Sequence, residues 1–283
     1  MIFLSPAKVN LGLKITGKDP ADGYHYIRSV FDPVSLYDII DIERVRGAGI
    51  ELIDYFNRLK IPPEKNLAYK AAALMKKECG IRADVKITLY KFIPHGAGLG
   101  GGSSNAAAVI KALNFIFKAG LGESNMAELG FNLGSDVPFF IYSKPALVTG
   151  KGNKIRLFAD FAGYWYVIAV PDGIRVPTAA AYDWYDYEKK LTKEVSYTKL
   201  NNGSMDDLPA DLCNDFEKPV FDKYIRLKRL KEYLLEQGCV NASLSGSGSA
   251  VYGLFKDRRG ALMCCERMRS VWRDSFISLA HSI

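Results

Sequence analysis

The sequence predicts a mixed α/β protein, because strand and helix patterns occur in both halves of the chain. Residues 83–94 have the pattern of a strand that ends at Pro94, and residues 106–117 carry apolar side chains at a helical period. Residues 164–170 form an unbroken apolar run, which is typical of a buried strand. We therefore expect sheets covered by helices rather than an all-helical or all-strand protein.

Composition places the chain among ordinary globular proteins. Its 283 residues are 48% hydrophobic and 24% charged, which suits one or two domains with a sizeable core. No apolar run is long enough for a transmembrane helix, and the first residues lack the basic segment of a secretory signal. The five cysteines contain no CxxC pair, and the three histidines have no metal-ligand spacing. We expect a reduced, cytoplasmic protein without a metal-binding motif.

The net charge of +7 narrows the choice of partners. Much of it lies in residues 223–231 and 256–273, where interleaved apolar residues indicate helices with solvated basic faces. Charge alone leaves nucleic-acid binding open, but no recognition motif accompanies it. A positive field also attracts small anionic substrates. We expect a small-molecule substrate, no nucleic acid and no membrane, and the sequence leaves the oligomeric state open.

The N-terminal stretch predicts a strand with one apolar and one polar face. Lys8 and Asn10 lie on the polar face, about 6.5 Å apart along the strand. A solvated edge and a shared functional face both fit this pattern. Asp22-Gly23 then predicts a turn before Tyr24 and His25.

The region up to the first helix continues as β structure. Residues 29–45 predict strands broken at Pro33, and Asn66 marks the start of an amphipathic helix. Lys91 stands near the end of the following strand, where a solvated side chain is its ordinary role.

Residues 94–108, PHGAGLGGGSSNAAA, are the clearest sign of a ligand site. Glycine permits positive φ and close approach of a phosphate to backbone N–H groups. A Ser or Asn N-cap then begins a helix whose free N–H groups face the same anion. The loop lacks the lysine of a Walker P-loop and fits a dinucleotide fingerprint poorly. A flexible linker would not stand between a strand and an alanine-rich helix, so we predict a phosphate-binding loop.

The end of the first half carries an aspartate and a change in sequence character. Pro138 favours an extended Val137, which predicts Asp136 in a loop before an apolar strand. Turn formation is the usual role of such an aspartate. A change of character near residues 150–152 predicts two domains, residues 1–150 and 151–283.

The remaining segments are helices and a second glycine loop. A helix begins at Pro177 and carries Tyr182, for which helix packing is an open interpretation. Residues 188–212 are polar and carry no chemistry that we can interpret. One long helix is predicted over residues 214–236, and the glycine-rich residues 242–252 would on their own predict a hairpin turn.

Three segments resemble, in order, the motifs of the GHMP kinase superfamily. They are residues 5–10 (SPAKVN), 94–108 and 242–252. Within it, DGYH at residues 22–25, the extra glycines before Ser103, GSDVPFF at 134–140 and VPTAAAY at 176–182 are similar to one branch, the 4-diphosphocytidyl-2-C-methyl-D-erythritol kinases. The resemblance covers residues 5–255. It implies an α+β fold of two domains, the first ribosomal protein S5 domain 2-like and the second ferredoxin-like, with ATP and substrate between them.

The resemblance also implies roles for individual residues. Asp136 is the implied catalytic base, Lys8 polarises the acceptor hydroxyl and stabilises developing charge, and Asn10 orients them. Tyr24 and Tyr182 are implied to hold a cytosine between their rings, with His25 at its edge and Thr178 nearby. Magnesium is expected to arrive with ATP, without a protein carboxylate ligand. The implied ATP contacts are Asn66, Lys91, Pro94, His95, Gly96, Ala97, Gly98, Leu99, Gly100, Gly101, Gly102, Ser103, Ser104 and Asn105.

The implied reaction is transfer of the γ-phosphoryl group of ATP to the 2-hydroxyl of 4-diphosphocytidyl-2-C-methyl-D-erythritol, a cytidine diphosphate ester, in the non-mevalonate route to isoprenoid precursors. Another GHMP kinase, acting on mevalonate, homoserine or a sugar, is the alternative, and the DGYH segment argues against it. A catalytically silent nucleotide-binding protein is disfavoured by the presence of both Lys8 and Asp136. A nucleic-acid binder with an S5-like fold is the third class.

Overall fold

Two β-sheets, one in each half of the chain, position the candidate site in this computed structural model. The structure describes residues 1–47, 49–159, 163–189 and 213–283. The polar segment 188–212 lies outside these residues except for its first two. The first sheet contains β1 (Ile2–Lys18), β2 (His25–Val45), β3 (Ile50–Asp54), β4 (Asp84–Tyr90), β5 (Ala146–Gly150) and β6 (Lys154–Leu157). The second contains β7 (Trp165–Pro171), β8 (Asn241–Leu244), β9 (Val251–Phe255) and β10 (Ser275–His281).

The first sheet has the order β3-β4-β2-β5-β6, and β1 pairs antiparallel with β2. β3 and β4 are parallel, and the chain between them passes through a 3-10 turn (Pro63–Lys65) and helix α1 (Leu67–Glu78). Asn66 caps α1, because its side chain accepts a hydrogen bond from the backbone N–H of Ala68 at 2.9 Å. The helix start predicted at Asn66 is therefore confirmed.

Three further helices follow in the first half, namely α2 (Gly101–Ile116), α3 (Glu123–Phe131) and α4 (Val137–Tyr142). The apolar faces of α1, α2 and α4 pack with the first sheet in one core, in which Val109, Ile110, Leu113 and Phe139 are fully buried. The small side chains of residues 106–108 let α2 lie deep in this core, so its N-terminus is held firmly.

The second sheet has the order β10-β7-β9-β8, with all neighbours antiparallel. Helices α5 (Thr178–Lys189), α6 (Glu217–Lys223), α7 (Ile225–Glu236) and α8 (Arg258–Val271) pack against it. Within the described residues, this succession of strands and helices matches the ferredoxin-like arrangement. The predicted α+β fold, with a first sheet domain followed by a ferredoxin-like one, is confirmed.

A third apolar cluster lies between the two sheets. It contains Val9 and Leu11 from β1, Val30 from β2, Tyr166 from β7 and Tyr252 from β9. The hydroxyl of Tyr252 also donates a hydrogen bond to the backbone oxygen of Asn10 at 2.7 Å. The sheets therefore pack directly on one another, and a cleft opens where this packing ends.

Two predictions about strand β2 and the helix after residue 213 were wrong. β2 continues through Pro33, which pairs with Lys8 of β1 close to a register shift between Pro6 and Ala7. Proline is tolerated in a strand near such an irregularity. The helix predicted over residues 214–236 is two helices, since Tyr224 leaves the helical region at φ −126° and ψ 72°.

The strand predicted after Asp136 is the short helix α4. Pro138 stands in its first turn, where a missing N–H costs nothing because no intrahelical acceptor is available there. The domain boundary after residue 150 stays a prediction. β5 and β6 pair across it, and the chain passes from the first sheet to the second between Leu157 and Trp165.

Asp32 of β2 is a buried acid between the two sheets, with 0% of its surface exposed. It accepts hydrogen bonds from the hydroxyls of Tyr166, at 2.5 Å, and Ser282, at 2.6 Å. Burial nevertheless raises the pKa of Asp32 to about 7. The carboxyl of an unfolded chain has a pKa of about 3.9, so the folded protein binds the extra proton between about pH 4 and 7.

We predict that Asp32→Asn removes a stability loss that the wild type suffers as pH rises through this window. Below about pH 4 the carboxyl is protonated in both folded and unfolded chains, whereas above about pH 7 its charge is buried at a cost. Thermal unfolding should show a higher midpoint for Asp32→Asn than for the wild type at about pH 8, and a smaller difference at about pH 5. An equal difference at both pH values contradicts this account.

Candidate active site

A cavity of about 600 Å³ lies in the cleft between the two sheets. It is lined by β1, the turn before β2, both glycine-rich loops, the segment before α4, and the start of α5. The two glycine loops touch each other directly. Ser245 donates its hydroxyl to the backbone oxygen of Gly98 at 2.9 Å, and the N–H of Ala250 donates to the oxygen of Ala97 at 2.9 Å. The loops predicted from sequence are therefore one structural unit.

Lys8 places a buried cation in this cavity. Its side chain is 3% exposed, and its ammonium donates to the Oδ1 of Asn10 and lies 3.8 Å from the Oδ2 of Asp136. The ammonium also lies 4.6 Å from the centre of the Phe31 ring. Burial lowers the pKa of Lys8, and the charge of Asp136 partly offsets this effect. Neither face of β1 is solvated here, so the interpretation of Lys8 and Asn10 as a solvated edge was wrong.

Asp136 stands directly before α4 but does not cap it. Its side chain makes no hydrogen bond to the helix and is 28% exposed. An aspartate in this position normally accepts from the backbone N–H groups of the first turn. Within the described part of the chain, its only polar contact is the ion pair with Lys8. The carboxylate is therefore available to a ligand in the cavity.

Asn10 is held on both sides. Its amide nitrogen donates to the hydroxyl of Ser29 at 3.0 Å, which in turn donates to the backbone oxygen of Gly12 at 2.6 Å. These bonds fix which end of the amide faces Lys8. Asn10 therefore holds the ammonium of Lys8 in a position that faces the carboxylate of Asp136.

The first glycine loop leaves the start of α2 without a side-chain cap. Gly96, Gly98 and Gly100 have φ values of 69°, 79° and 70°. Gly100 is the N-cap of α2, so the prediction of a Ser or Asn N-cap was wrong. Glycine fills this position because it adopts the left-handed backbone without strain. The first N–H groups of α2, from Gly101 to Ser103, are the usual binding groups for an anion.

The predicted ATP contacts fall into three groups. Gly98, Gly100 and Ser103 line the cavity. Others are buried outside the cavity lining, namely Asn66, Lys91, Ala97, Leu99, Gly101, Ser104 and Asn105. The remaining residues, Pro94, His95, Gly96 and Gly102, are neither buried nor part of the cavity lining. Direct contact of all these residues with ATP stays a prediction.

Lys91 does not point toward the cleft. Its ammonium is buried and paired with the carboxylate of Asp38, a residue that the sequence analysis missed. Asp38 also accepts from the N–H groups of Phe92, at 2.7 Å, and Ile93, at 2.8 Å, and from the amide of Asn105 at 2.9 Å. Asp38 thereby ties β2 to both ends of the glycine loop, a structural role.

On the other side of the cavity lie the residues predicted to bind cytosine. Tyr24 is 66% exposed. The rings of His25 and Tyr182 stack with centres 4.4 Å apart and planes 12° from parallel. Thr178 and Ser247 join α5 to the second glycine loop through hydroxyls 3.1 Å apart. All four predicted residues line the same cavity, but Tyr182 stacks on His25 here, and the sandwich between Tyr24 and Tyr182 stays a prediction.

Sequence analysis also missed charged residues beside this aromatic group. Asp186 of α5 accepts from the Nε2 of His25 at 2.7 Å and from Lys18 at 2.6 Å. Lys151 bridges Asp19, at 2.7 Å, and Asp22, at 2.6 Å. Lys18 and Lys151 both line the cavity, and each is paired with a carboxylate. The DGYH segment, which contains Asp22, was the only signal nearby. It does not indicate Lys151 or Asp186, which are distant in sequence.

Comparison with known proteins finds matches to one family in both halves of the chain. The model of the GHMP kinases N terminal domain matches residues 66–144, and that of the GHMP kinases C terminal domain matches residues 197–274. A 4-diphosphocytidyl-2-C-methyl-D-erythritol kinase of Symbiobacterium thermophilum is 38% identical over 280 residues, covering 96% of each chain. One of Syntrophotalea carbinolica is 37% identical over 276 residues, again covering 96% of each chain.

Solved structures show the same fold. A crystal structure of 4-(cytidine 5'-diphospho)-2C-methyl-D-erythritol kinase superposes with a TM-score of 0.78 at 32% identity, covering 99% of both chains. The mevalonate kinase of Methanococcus jannaschii has a TM-score of 0.71 at 16% identity, covering 100% of this chain and 98% of that one. The similarity to the mevalonate kinase is one of fold alone.

The contact between the glycine loops predicts a difference between two neighbouring glycines. A Cβ at Gly98 would lie 1.9 Å from the backbone oxygen of Ser245, whereas a Cβ at Gly96 has nothing within 4 Å. Both have positive φ, so an alanine at either position costs about 1–2 kcal/mol of backbone strain. Gly98→Ala should in addition separate the two glycine loops. It should therefore lower the thermal midpoint and weaken nucleotide binding much more than Gly96→Ala does. Calorimetry of both variants tests this, and equal effects contradict the proposed loop contact.

Proposed function

Because the chain belongs to the GHMP kinases and, within them, to the 4-diphosphocytidyl-2-C-methyl-D-erythritol kinases, we propose that it transfers the γ-phosphoryl group of ATP to the 2-hydroxyl of 4-diphosphocytidyl-2-C-methyl-D-erythritol. This reaction belongs to the non-mevalonate route to isoprenoid precursors. One observation of the site carries the proposal. The carboxylate of Asp136, which makes no hydrogen bond to α4, lies 3.8 Å from the buried ammonium of Lys8 in a cavity that both glycine loops line.

The ATP side of the cavity suits a polyphosphate. The uncapped N-terminus of α2 offers backbone N–H groups and the positive end of a helix of 16 residues. Gly98, Gly100 and Ser103 line the cavity at this end. Phosphoryl transfer depends mainly on positioning and charge neutralisation, which this end of the cavity provides.

Magnesium would enter with the ATP phosphates and neutralise part of their charge. Within the described residues, no group of three or more His, Cys, Asp or Glu side chains is placed to hold a metal ion. Asp136 is the carboxylate that lies nearest to the Lys8 ammonium, and we assign it to proton transfer.

Asp136 acts as the general base in this proposal. It takes the proton of the acceptor hydroxyl while the hydroxyl oxygen bonds to the γ-phosphorus and the bond from that phosphorus to the ADP oxygen breaks. The ammonium of Lys8 stabilises the negative charge that develops on the oxygen. Asn10 holds that ammonium in position. The side chains of Lys8, Asn10 and Asp136 therefore act together, and they come from β1 and the segment before α4.

The acceptor side of the cavity suits a cytidine diphosphate ester. Tyr24, His25 and Tyr182 provide aromatic surface. Lys18 and Lys151 are lining cations that a diphosphate can bind in competition with their carboxylate partners. The sugar, mevalonate and homoserine kinases of similar fold are only 14–17% identical to this chain. Their acceptors gain no support from the cavity, because none of them carries a nucleobase.

We also propose a cytoplasmic location, in keeping with five cysteines that are all free. In the part of the chain that the structure describes, no helix has both the length and the apolar character needed to cross a membrane.

Replacing Asp136 or Lys8 tests the catalytic assignment. Asp136→Asn and Lys8→Ala should each lower kcat by at least about 100-fold, which is the low end of the contribution of a positioned general base. ATP binding should be largely kept, since neither side chain belongs to the glycine loop. Steady-state kinetics and nucleotide calorimetry measure both effects. A variant with nearly wild-type kcat removes its residue from the mechanism.

Removing the cytidine tests the acceptor assignment. The cytidine diphosphate ester should be a far better acceptor, by kcat/KM, than 2-C-methyl-D-erythritol 4-phosphate. Stacking on one base is worth roughly 1–3 kcal/mol, so Tyr24→Ala should raise the KM for the acceptor about 5- to 150-fold while the KM for ATP stays unchanged. Tyr24→Phe keeps the ring and serves as the control. Equal kcat/KM for the two acceptors rejects the cytidine pocket and leaves a GHMP kinase with another acceptor.

A further inference from the structure

We propose that Asp186 is a positioning residue that fixes the tautomer of His25 and thereby makes the enzyme select cytosine over uracil in its acceptor. This inference rests on the proposed function, because it needs a cytidine ester bound in the cavity. It adds a residue that neither the sequence motifs nor the comparisons indicate.

Helix α5 holds His25 by two contacts. Tyr182 stacks on the imidazole at 4.4 Å, and Asp186 accepts from its Nε2 at 2.7 Å. These two residues are four positions apart, so they lie on one face of α5, one turn from each other. The side chain of His25 is only 8% exposed. The ring therefore has a fixed orientation beside the cavity that it lines.

The contact with Asp186 decides which ring nitrogen carries the proton. An ionised carboxylate only accepts hydrogen bonds, so the Nε2 of His25 must be the donor. Burial acts to raise the pKa of Asp186, but hydrogen bonds from Lys18 and His25 outweigh it and lower that pKa. In the neutral imidazole, Nδ1 then carries a lone pair. Among the described residues Nδ1 has no hydrogen-bond partner, and it is the nitrogen left for a ligand.

Cytosine and uracil differ at the group that this lone pair would meet. Cytosine carries an amino group on C4 that donates hydrogen bonds, whereas uracil carries an oxygen there that only accepts. An accepting Nδ1 pairs with the cytosine amino group and faces the uracil oxygen with an unfavourable contact between two lone pairs. Ring stacking cannot make this distinction, because both bases present similar π faces. The hydrogen-bonding edge of His25 therefore carries the selectivity.

Asp186→Asn should reverse the tautomer. Lys18 lies 2.6 Å from the second carboxylate oxygen and can only donate, so the amide oxygen of the asparagine will face Lys18 and its NH₂ group will face His25. The amide then donates to Nε2, and the imidazole proton moves to Nδ1. A donating Nδ1 suits the uracil oxygen better than the cytosine amino group.

The experiment compares kcat/KM for the cytidine and uridine diphosphate esters of 2-C-methyl-D-erythritol. In Asp186→Asn the ratio of the two values, cytidine over uridine, should fall at least about tenfold, which corresponds to about 1.4 kcal/mol. The change should lie in the acceptor KM, while the KM for ATP and the thermal midpoint stay near wild type. A merely structural role would lower both kcat/KM values together and leave their ratio unchanged.

Asp172→Asn is the matched control. Asp172 is exposed, is not part of the cavity lining, and its side chain makes no hydrogen bond or ion pair with other described residues, so the change removes the same charge without touching His25 or the cavity. It should keep the wild-type ratio. In a His25→Ala background, Asp186→Asn should have no further effect on the ratio, because a positioning residue acts only through its partner.

Three results would overturn the role of Asp186: an unchanged ratio in Asp186→Asn, an equal fall in Asp172→Asn, or a full effect without His25. The proposed function fails differently. If the wild-type enzyme phosphorylates neither ester, the acceptor assignment is wrong, and the inference falls with it. If it phosphorylates the cytidine ester and any of the three results is found, only the inference is rejected.

Discussion

The buried ammonium of Lys8 is the constraint on which the cleft depends. A lysine removed from water must be paired, because an isolated buried charge costs several kcal/mol. Here Asn10, Asp136 and the Phe31 ring surround it. Its own backbone N–H also donates to the oxygen of Leu99 at 3.0 Å, so the strand that carries the cation holds the glycine loop as well. One residue thus links the proposed phosphate-binding loop to the candidate base.

The second domain completes this arrangement. Ser245 of the second glycine loop contacts the backbone oxygen of Gly98, and Tyr252 holds the backbone of Asn10 from the opposite sheet. Neither domain alone would fix the relative position of phosphate loop and acceptor site. The apolar cluster between the sheets therefore helps to hold the two sides of the cleft together. The acceptor side is built across the same boundary, where α5 holds His25.

Sequence patterns predicted the parts of the fold that depend on neighbouring residues. The start of α1 at Asn66 and the buried strand near Val167 followed from local signals, and the family motifs indicated that Lys8, Asn10 and Asp136 would meet. Contacts between distant residues could not be predicted in this way. Asp38 and Lys91 are 53 positions apart, and His25 and Asp186 are 161 apart. The short helix α4 was also missed, because Pro138 equally suits an extended segment and a first helical turn.

The roles proposed for Asp136, Lys8 and α2 can be tested by a crystal structure of the enzyme with its acceptor and a non-hydrolysable ATP analogue. We predict the 2-hydroxyl of the acceptor within about 2.6–3.2 Å of the carboxylate of Asp136, the distance that a general base requires. The same assignment places the γ-phosphate at the N-terminus of α2, with the ammonium of Lys8 beside the hydroxyl. A complex in which the hydroxyl lies against another carboxylate, or in which the γ-phosphate lies away from α2, would contradict it.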